Sequence, residues 1–339
     1  MSKKKKESTI VSDKKLSDMK KKYGEILRSG EDVANKAKKR IYIPLSPVHD
    51  ANIGRGIKEG SFLGLSGPAG SGKTSTALQL VRNAQREEFG KRKTFWDDVE
   101  CRLDLRNLEG IDGLDYSEEI FYHLSPEQSV MSGEDHLSII EDVIRTNENM
   151  VIVIDSISTL ISGNELEGEI SGQNRALMPK VLKNFIRRNT VPVQNRGHII
   201  VTIMHIMADL SMSRKTKMMD GGNGIQFQCD NVIEAKFSQD WMEDGKKIGQ
   251  FVNWELVKSS GTGITGSKYV SALRYGYGID DIYELVDAAM ELGIITKGGA
   301  WFSSDLWEDK IQGQAKLTSY LKENPEIVEK IKKELTELS

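Results

Sequence analysis

Residues 61–74 read Ser-Phe-Leu-Gly-Leu-Ser-Gly-Pro-Ala-Gly-Ser-Gly-Lys-Thr. The apolar run at 61–66 predicts a strand, and residues 74–89 predict a helix. Between them, glycines let the backbone wrap tightly, so that its N–H groups and the helix N-terminus face a phosphate. We expect Lys73 to reach the β- and γ-phosphates of ATP and the Thr74 hydroxyl to bind Mg²⁺. The residues of this predicted phosphate loop are Gly67, Pro68, Ala69, Gly70, Ser71, Gly72, Lys73, Thr74 and Ser75.

Two acidic segments follow predicted strands and complete the expected nucleotide site. Val-Ile-Val-Ile-Asp-Ser at 151–156 ends in Asp155, which is suited to hold the metal through water. The alternative is a strand-terminal Asp that caps the next helix. Residues 94–100 form a strand that leads to clustered acids, of which Glu100 is our choice for polarising the attacking water. Spacing alone does not separate Glu100 from Asp97 or Asp98, each of which is alternatively an exposed charge.

Strand and helix patterns alternate beyond this loop, with further predicted strands at 198–205, 231–238 and 251–258. Such alternation predicts an α/β domain with a mainly parallel twisted sheet flanked by helices. We divide the chain into a disordered basic tail at 1–10, an N-terminal helix and oligomerisation segment at 11–58, a core at 59–278 and a small α/β C-terminal domain at 279–339. Leu16, Met19, Tyr23, Ile26 and Leu27 form the apolar stripe of the expected N-terminal helix, to be buried on its own domain or on a neighbouring subunit.

Charge and composition restrict the remaining possibilities. Residues 1–40 hold 14 Lys and Arg against 6 Asp and Glu, whereas the whole chain has a net charge of −3. A basic arm of this kind suits nucleic acid phosphates or a solvated tail. No apolar run is long enough for a membrane span or a signal peptide, so we expect a cytoplasmic protein without membrane contact. Cys101 and Cys229 lack ligand spacing, and we expect two buried thiols.

Two further segments resemble the DNA-binding loops of bacterial RecA recombinases: Glu-Leu-Glu-Gly-Glu-Ile at 165–170 and Asp-Gly-Gly-Asn at 220–223. The resemblance runs from 22–32 to Gly-Gly-Ala-Trp at 298–301, with elements in the same order. It implies a RecA-like core whose subunits polymerise into a helical filament on single-stranded DNA and exchange strands with a homologous duplex. It also implies ATP and Mg²⁺ as cofactors and single-strand-binding and mediator proteins as partners. If a phage encodes the chain, the compartment is the host cytoplasm.

The resemblance assigns roles to individual residues. Lys73 and Thr74 match the phosphate and magnesium ligands, Asp155 the metal-side acid and Glu100 the acid that activates water. The match of Glu100 needs one extra residue, Val99, and depends on Cys-Arg-Leu-Asp at 101–104, which lines up with the family's His-Ala-Leu-Asp. Asp104 is then expected near the adenine.

Three departures from the family pattern stand out. Met204-His205 replaces an Asn-Gln pair that senses the γ-phosphate, and T-even phage recombinases similarly carry His there; a buried structural His is the alternative. Of two lysines that reach a neighbour's ATP, this chain keeps only Lys258. Gln226-Phe227 stands where the family has Lys-Phe at an interface.

The DNA-binding prediction combines both loops with a basic helix. The cations of this helix are expected to neutralise DNA phosphates without reading the base sequence. In a second loop at about 206–220, apolar side chains are expected to insert between bases. We expect this loop to be disordered in the free protein. A solvated helix face is the alternative for the cations. The predicted residues are Gly168, Arg175, Lys180, Lys183, Arg187, Met212, Gly221, Gly222 and Asn223.

Two rival functions are compatible with parts of this sequence. A ring helicase or translocase has the same phosphate loop and acids. An ATP-switched scaffold that protects single-stranded DNA without hydrolysis is compatible with the altered Met204-His205 pair and with Ser260, in the segment where the family has its second lysine.

Overall fold

The computed structural model describes residues 13–24, 26–126, 130–168, 177–207, 218–219 and 228–338, and its contacts divide the chain into units 1–41 and 42–339. The described part of the first unit contains α1 (Asp13–Lys22) and α2 (Gly30–Lys38). Ser29 starts α2, because its hydroxyl accepts the Asp32 N–H in a capping box. The single helix expected through Leu27 is wrong: α1 ends before Gly24, a residue that favours helix ends, and Tyr23 and Ile26 lie exposed beyond it.

Residues 42–58, which we grouped with the N-terminal helix, belong to the second unit. They form β1 (Tyr42–Ile43), α3 (Pro47–Ile53) and β2 (Ile57–Lys58), and the two strands pair antiparallel. Ile43, Leu45 and Ile57 are fully buried in the main apolar core. These three side chains therefore contribute to the core of the second unit.

A large sheet organises the second unit, and its described strands run in the order β12-β11-β10-β9-β3-β7-β6-β4-β5. Pairing is parallel from β9 through β5 and antiparallel from β9 through β12, while β8 pairs with the end of β7. The strands are β3 (Ser61–Gly67), β4 (Thr94–Asp98), β5 (Phe121–Leu124), β6 (Val151–Asp155), β7 (Ile199–Met207), β8 (Met218–Met219), β9 (Asn231–Glu243), β10 (Lys246–Ser259), β11 (Lys268–Arg274) and β12 (Gly278–Ile279).

Helices cover both faces of the parallel part, because these strands are apolar on both sides. On one face, Leu80 and Val81 of α4 (Lys73–Ala84) are buried in the same apolar cluster as Leu63 and Leu65 of β3. The other face is covered by α6 (Gly133–Thr146) and α8 (Leu177–Arg196). Two short helices, α5 (Leu105–Glu109) and α7 (Gly163–Glu167), follow β4 and β6.

Several predicted boundaries needed correction. The helix expected to reach residue 89 ends at Ala84, and a separate 3₁₀ turn spans Glu87–Phe89. Strand β4 ends at Asp98, so Glu100 lies in a turn. The strands expected at 231–238 and 251–258 are longer, because β9 and β10 continue past the parallel core as an antiparallel hairpin.

The C-terminal part forms a small domain with its own apolar cluster, which includes Leu285, Phe302 and Leu317. Its three short strands pair antiparallel. The elements are α9 (Asp281–Glu291), β13 (Thr296–Gly298), β14 (Trp301–Ser303), β15 (Ile311–Gln312), α10 (Gln314–Glu323) and α11 (Pro325–Leu338). Among the described residues, no helix combines the length and apolar character of a membrane span.

Candidate functional site

Four neighbouring parallel strands, β3, β7, β6 and β4, end at one edge of the sheet. Their register places Gly67 beside His205 and Asp98 beside Asp155. Since the carboxyl ends of parallel strands are where α/β sheets bind ligands, this edge is the candidate site. A cleft of about 700 Å³ opens there. The phosphate loop from Ala69 to Ser75 lines it, together with both predicted acids and His205.

The phosphate loop connects β3 to α4 in the predicted order. Gly70 and Gly72 have φ values of 71° and 84°, a region that side chains disfavour, and Gly72 occupies the N-cap position of α4. Lys73 donates from Nζ to the carbonyl of Pro68, 2.7 Å away. Burial lowers the pKa of Lys73 to about 8, although Asp155 and Glu100 oppose that shift. An anion on the loop would favour the charged lysine.

Asp155 lies opposite the loop at the end of β6. Its Oδ2 accepts a hydrogen bond of 3.0 Å from the Thr74 hydroxyl, so the two predicted metal ligands are adjacent. Burial raises the pKa of Asp155 to about 6; the Thr74 hydrogen bond opposes this, and Glu100 and Asp98 add to it by repulsion. These groups fit Mg²⁺, which is held by one or two carboxylates together with substrate phosphates. Bound Mg²⁺ would favour the ionised carboxylate.

Glu100 occupies the turn after β4 and faces the cleft. Its Oε1 accepts from Ser156 Oγ at 2.7 Å and from His205 Nε2 at 2.8 Å, and Arg102 lies 3.0 Å from Oε2. Burial alone would raise the pKa of Glu100, but the hydrogen bonds from Ser156 and His205 outweigh it and hold the pKa below its ordinary value. The carboxylate is therefore charged at neutral pH and available as a proton acceptor.

The other two acids of this segment are not exposed charges, and that alternative was wrong for both. Asp97 is fully buried and pairs with His136 Nδ1 at 2.7 Å on the α6 side of the sheet. Asp98 is 2 % exposed and accepts the N–H groups of Arg102 and Leu103, which shape the turn that carries Glu100. Strand alternation explains the difference, because successive side chains point to opposite faces.

His205 belongs to the cleft and is not a core histidine. Its side chain is 26 % exposed, whereas the preceding Met204 is buried in the apolar core. The ring contacts Glu100, and the backbone N–H donates to Ser158 Oγ at 2.9 Å. This position allows a hydrogen bond from His205 to a phosphate oxygen or to water in the cleft.

The cleft has a second wall that sequence reasoning did not identify. Gln250 of β10 lies 3.4 Å from the Gly70 carbonyl, and Tyr275, which is 53 % exposed, follows β11. Arg106 and Asn107 also line the cleft, whereas Asp104, which we expected near the adenine, caps α5 and is not part of the cleft lining. In the sequence, Tyr275 directly precedes Gly276, which favours a turn. This pair was the available signal for an exposed ring that stacks on a base.

Lys258 does not line this cleft. It lies near the end of β10 and donates to the Cys229 carbonyl at 2.6 Å. Cys229 is buried as expected, and burial raises its pKa to about 11. Cys101 is exposed, contrary to expectation, because it occupies the turn after β4 with a φ of 50°.

The predicted DNA-binding residues are only partly described. Lys180, Lys183 and Arg187 are exposed on α8, and Gly168 is exposed at the end of α7. Strand β8 pairs with Ile206–Met207, which brings the two ends of the second loop together. The remaining predictions, including the disorder expected in the second loop, lie outside the described residues: Arg175, Met212, Gly221, Gly222, Asn223 and the Gln226-Phe227 pair.

Comparison with known proteins agrees with this architecture. The model of the RecA N-terminal domain matches residues 11–280, and that of the RecA C-terminal domain matches residues 283–338. Protein RecA of Aquifex aeolicus is 30 % identical over 288 residues, 83 % of this chain and 79 % of that protein. Protein RecA of Mesoplasma florum is 28 % identical over 284 residues, 83 % of this chain and 81 % of the relative.

Similarity to a third relative covers more of the chain. Protein RecA of Rubrobacter xylanophilus is 27 % identical over 316 residues, which cover 93 % of this chain and 88 % of the relative. The matches thus include the phosphate loop, the antiparallel half of the sheet and the small C-terminal domain. This chain belongs to the RecA family and is a divergent member of it.

Proposed function

We propose that this chain is an ATP-dependent DNA recombinase, which polymerises on single-stranded DNA and exchanges strands with a homologous duplex. The RecA family is one of ATP-binding and DNA-binding ATPases that act in recombination and repair. The observation that carries the proposal is the hydrogen bond between Glu100 and His205 in the nucleotide cleft. His205 lies on β7, which leads directly into the second predicted DNA loop. A change at the nucleotide can therefore reach DNA through one side chain.

Each residue of the cleft would have a separate role in ATP hydrolysis. Glu100, ionised by its hydrogen bonds, would accept a proton from the attacking water. Lys73 would pair with the β- and γ-phosphates, while Thr74 and Asp155 would hold Mg²⁺. Bound MgATP supplies the phosphoryl group and the metal charge. Tyr275 and Arg106 form the wall suited to the purine.

Exposed cations suit a protein that coats any DNA sequence. Lys180, Lys183 and Arg187 on α8 would neutralise phosphates without reading bases. The first loop follows β6 and the second follows β7, and Asp155 and His205 of these strands line the ATP cleft. Lys258, which lies outside its own cleft, would reach the ATP of a neighbouring subunit. ATP would then act at the boundary between subunits, where binding stabilises the filament and hydrolysis releases it.

Strand exchange between a circular single strand and a homologous linear duplex tests this proposal. Joint molecules are expected with ATP and Mg²⁺ and should be absent for Lys73→Ala. Joint molecules that form without ATP would overturn the mechanism. Directional unwinding of a fork without homologous single strand would support a ring helicase instead. A protein that coats single strands with ATP but shows no DNA-stimulated hydrolysis would support the scaffold.

Mixing two inactive variants tests whether Lys258 acts across the subunit boundary. Lys258→Ala keeps an intact cleft, whereas Lys73→Ala keeps an intact Lys258. In a mixed filament, some boundaries place the intact cleft of a Lys258→Ala subunit beside the intact Lys258 of a Lys73→Ala subunit. Hydrolysis above the sum of the two separate variants is expected. Strict additivity would exclude action of Lys258 on a neighbour's ATP.

A further inference from the structure

A short 3₁₀ turn, Ile157–Thr159, connects the ATP cleft to the root of the first DNA loop. It follows Asp155 and Ser156 directly, and residues 160–162 lead from it into α7. Ser156 donates from Oγ to Glu100 Oε1 at 2.7 Å. Ser158, on the same turn, accepts the N–H of His205 at 2.9 Å. Ser156 therefore contacts the proposed catalytic acid, and the turn that directly follows it contacts β7.

The hydrogen bond between Ser158 and His205 occupies a place where the sheet ladder has ended. Strands β6 and β7 pair from Val151 to Ile154, and the last pair joins Ile154 to Thr202. His205 lies three residues farther along β7, and β6 has by then turned away into the 3₁₀ turn. The Ser158 hydroxyl accepts this backbone N–H beyond the ladder, so one side chain holds the two diverging segments together.

The segment after the turn is anchored to α6 and α8, which makes it a rigid connection. Leu160 is buried in the same apolar cluster as Met178 of α8. The Ile161 carbonyl accepts the Gly133 N–H at 2.6 Å, and the Gly163 N–H donates to Glu134 Oε2 at 3.0 Å. Displacement of the turn would thus be passed to α7, which ends at the first loop.

We propose that Ser158 is a positioning residue that ties the roots of the two DNA loops together, so that both respond jointly to the state of Glu100. His205 lies on β7, which leads into the second loop, and the turn lies on the segment that leads into the first loop. This inference rests on the proposed function, because it assigns both loops to DNA. Ser158 itself does not contact the nucleotide cleft. Its contribution is the mechanical link between two segments that do.

The first test measures hydrogen exchange of the His205 amide in the free protein. Ser158→Ala removes the acceptor, and exchange should accelerate by roughly fivefold or more. Ser158→Thr restores a hydroxyl on a half-buried position and should restore protection. Ser162→Ala is the matched control in the same segment, because the Ser162 hydroxyl is buried without a hydrogen-bond partner in the described part of the chain. Its exchange should equal that of the wild type.

The second test measures ATP hydrolysis with and without single-stranded DNA. Ser158→Ala should keep the DNA-independent rate and the KM for ATP, while the stimulation by DNA falls about fivefold or more. Ser158→Thr should recover the stimulation, and Ser162→Ala should retain it. Equal losses in Ser158→Ala and Ser162→Ala would assign the effect to packing and overturn the inference.

The two proposals fail in distinguishable ways. If the wild type is stimulated by DNA and Ser158→Ala is stimulated equally, the inference is overturned and the proposed function stands. If the wild type itself shows no stimulation, the proposed function fails and the joint response fails with it. Unchanged amide exchange at His205 in Ser158→Ala would overturn the inference whatever the DNA assay shows.

Discussion

Two groups of three acids lie in different parts of the second unit. The edge acids, Asp98, Glu100 and Asp155, surround the ATP cleft. The junction acids, Asp50, Asp281 and Glu284, lie on α3 and α9, where these helices meet β11. Each group contains one glutamate, and the two glutamates differ in burial and in the direction of their pKa shift.

Glu100 and Glu284 show the difference most clearly. Glu100 is open to the cleft and has hydrogen bonds from Ser156 and His205 that keep its pKa low. Glu284 is 1 % exposed, and burial raises its pKa to about 8 despite hydrogen bonds from Ser46, Ser271 and the Ala272 N–H. One glutamate is charged at neutral pH and faces a ligand cleft. The other carries a proton and joins elements of the fold.

Replacement of the edge acid Glu100 should have the largest effect. Glu100→Gln keeps an acceptor for Ser156 but removes the negative charge that we propose accepts a proton from water. We expect ATP hydrolysis to fall by about 10²-fold or more, with ATP affinity nearly unchanged. Steady-state kinetics and nucleotide binding on the same preparation measure both. Unchanged hydrolysis would remove Glu100 from the mechanism and erase the contrast with Glu284.

Truncation of the junction acid should affect stability and leave chemistry intact. Glu284→Ala leaves the Ser271 hydroxyl and the N–H groups of Ala272 and Val48 without their acceptor. We expect a loss of about 3 kcal/mol in the free energy of unfolding and a Tm lower by roughly 5 °C or more. Thermal unfolding measures this, with exposed Glu291→Ala on the same helix as control. A selective loss of kcat at unchanged Tm would contradict the structural role.

Asp98 lines the cleft and also accepts hydrogen bonds that shape a turn of the fold, so its replacement should have an intermediate effect. Asp98→Asn removes one acceptor from the pair that holds the N–H groups of Arg102 and Leu103. The turn then positions Glu100 less well, so kcat should fall about tenfold while Tm decreases slightly. The exposed Asp305→Asn serves as control. If kcat is unchanged and only Tm falls, the turn does not need Asp98 to position Glu100.

The smallest expected effect is a change in how the Tm depends on pH. The pKa of Glu284 is about 8 when folded and has an ordinary value of 4.5, so between these values the folded chain retains a proton that the unfolded chain has released. The contribution of Glu284 to the free energy of unfolding is complete below pH 4.5 and is lost as pH rises towards 8. Glu284→Gln cannot titrate and should show a shallower decline of Tm between pH 5.5 and 8.5. Parallel Tm curves for the two proteins would contradict a protonated Glu284.

The nucleotide site was predictable where its residues are close in sequence. The phosphate loop is one continuous segment, and Asp155 ends an apolar strand whose pattern is unmistakable. The separate roles of Asp97, Asp98 and Glu100 were not predictable, because they depend on which face of β4 and its turn each side chain occupies. Cys101 was misjudged for the same reason, since a turn exposes it.

Sequence alone determined that β3, the glycine loop and α4 follow one another in the order that a phosphate site requires, since glycine freedom and helix formation act over a few residues. Tertiary structure decided which groups join that site from a distance. Gln250 and Tyr275 reach the cleft because the antiparallel strands β10 and β11 extend the sheet beyond β9. Ser158 meets His205 because β6 and β7 diverge there. The junction around Glu284 likewise needs α3, β11 and α9 packed together, because burial of Glu284 between them is the main cause of its raised pKa.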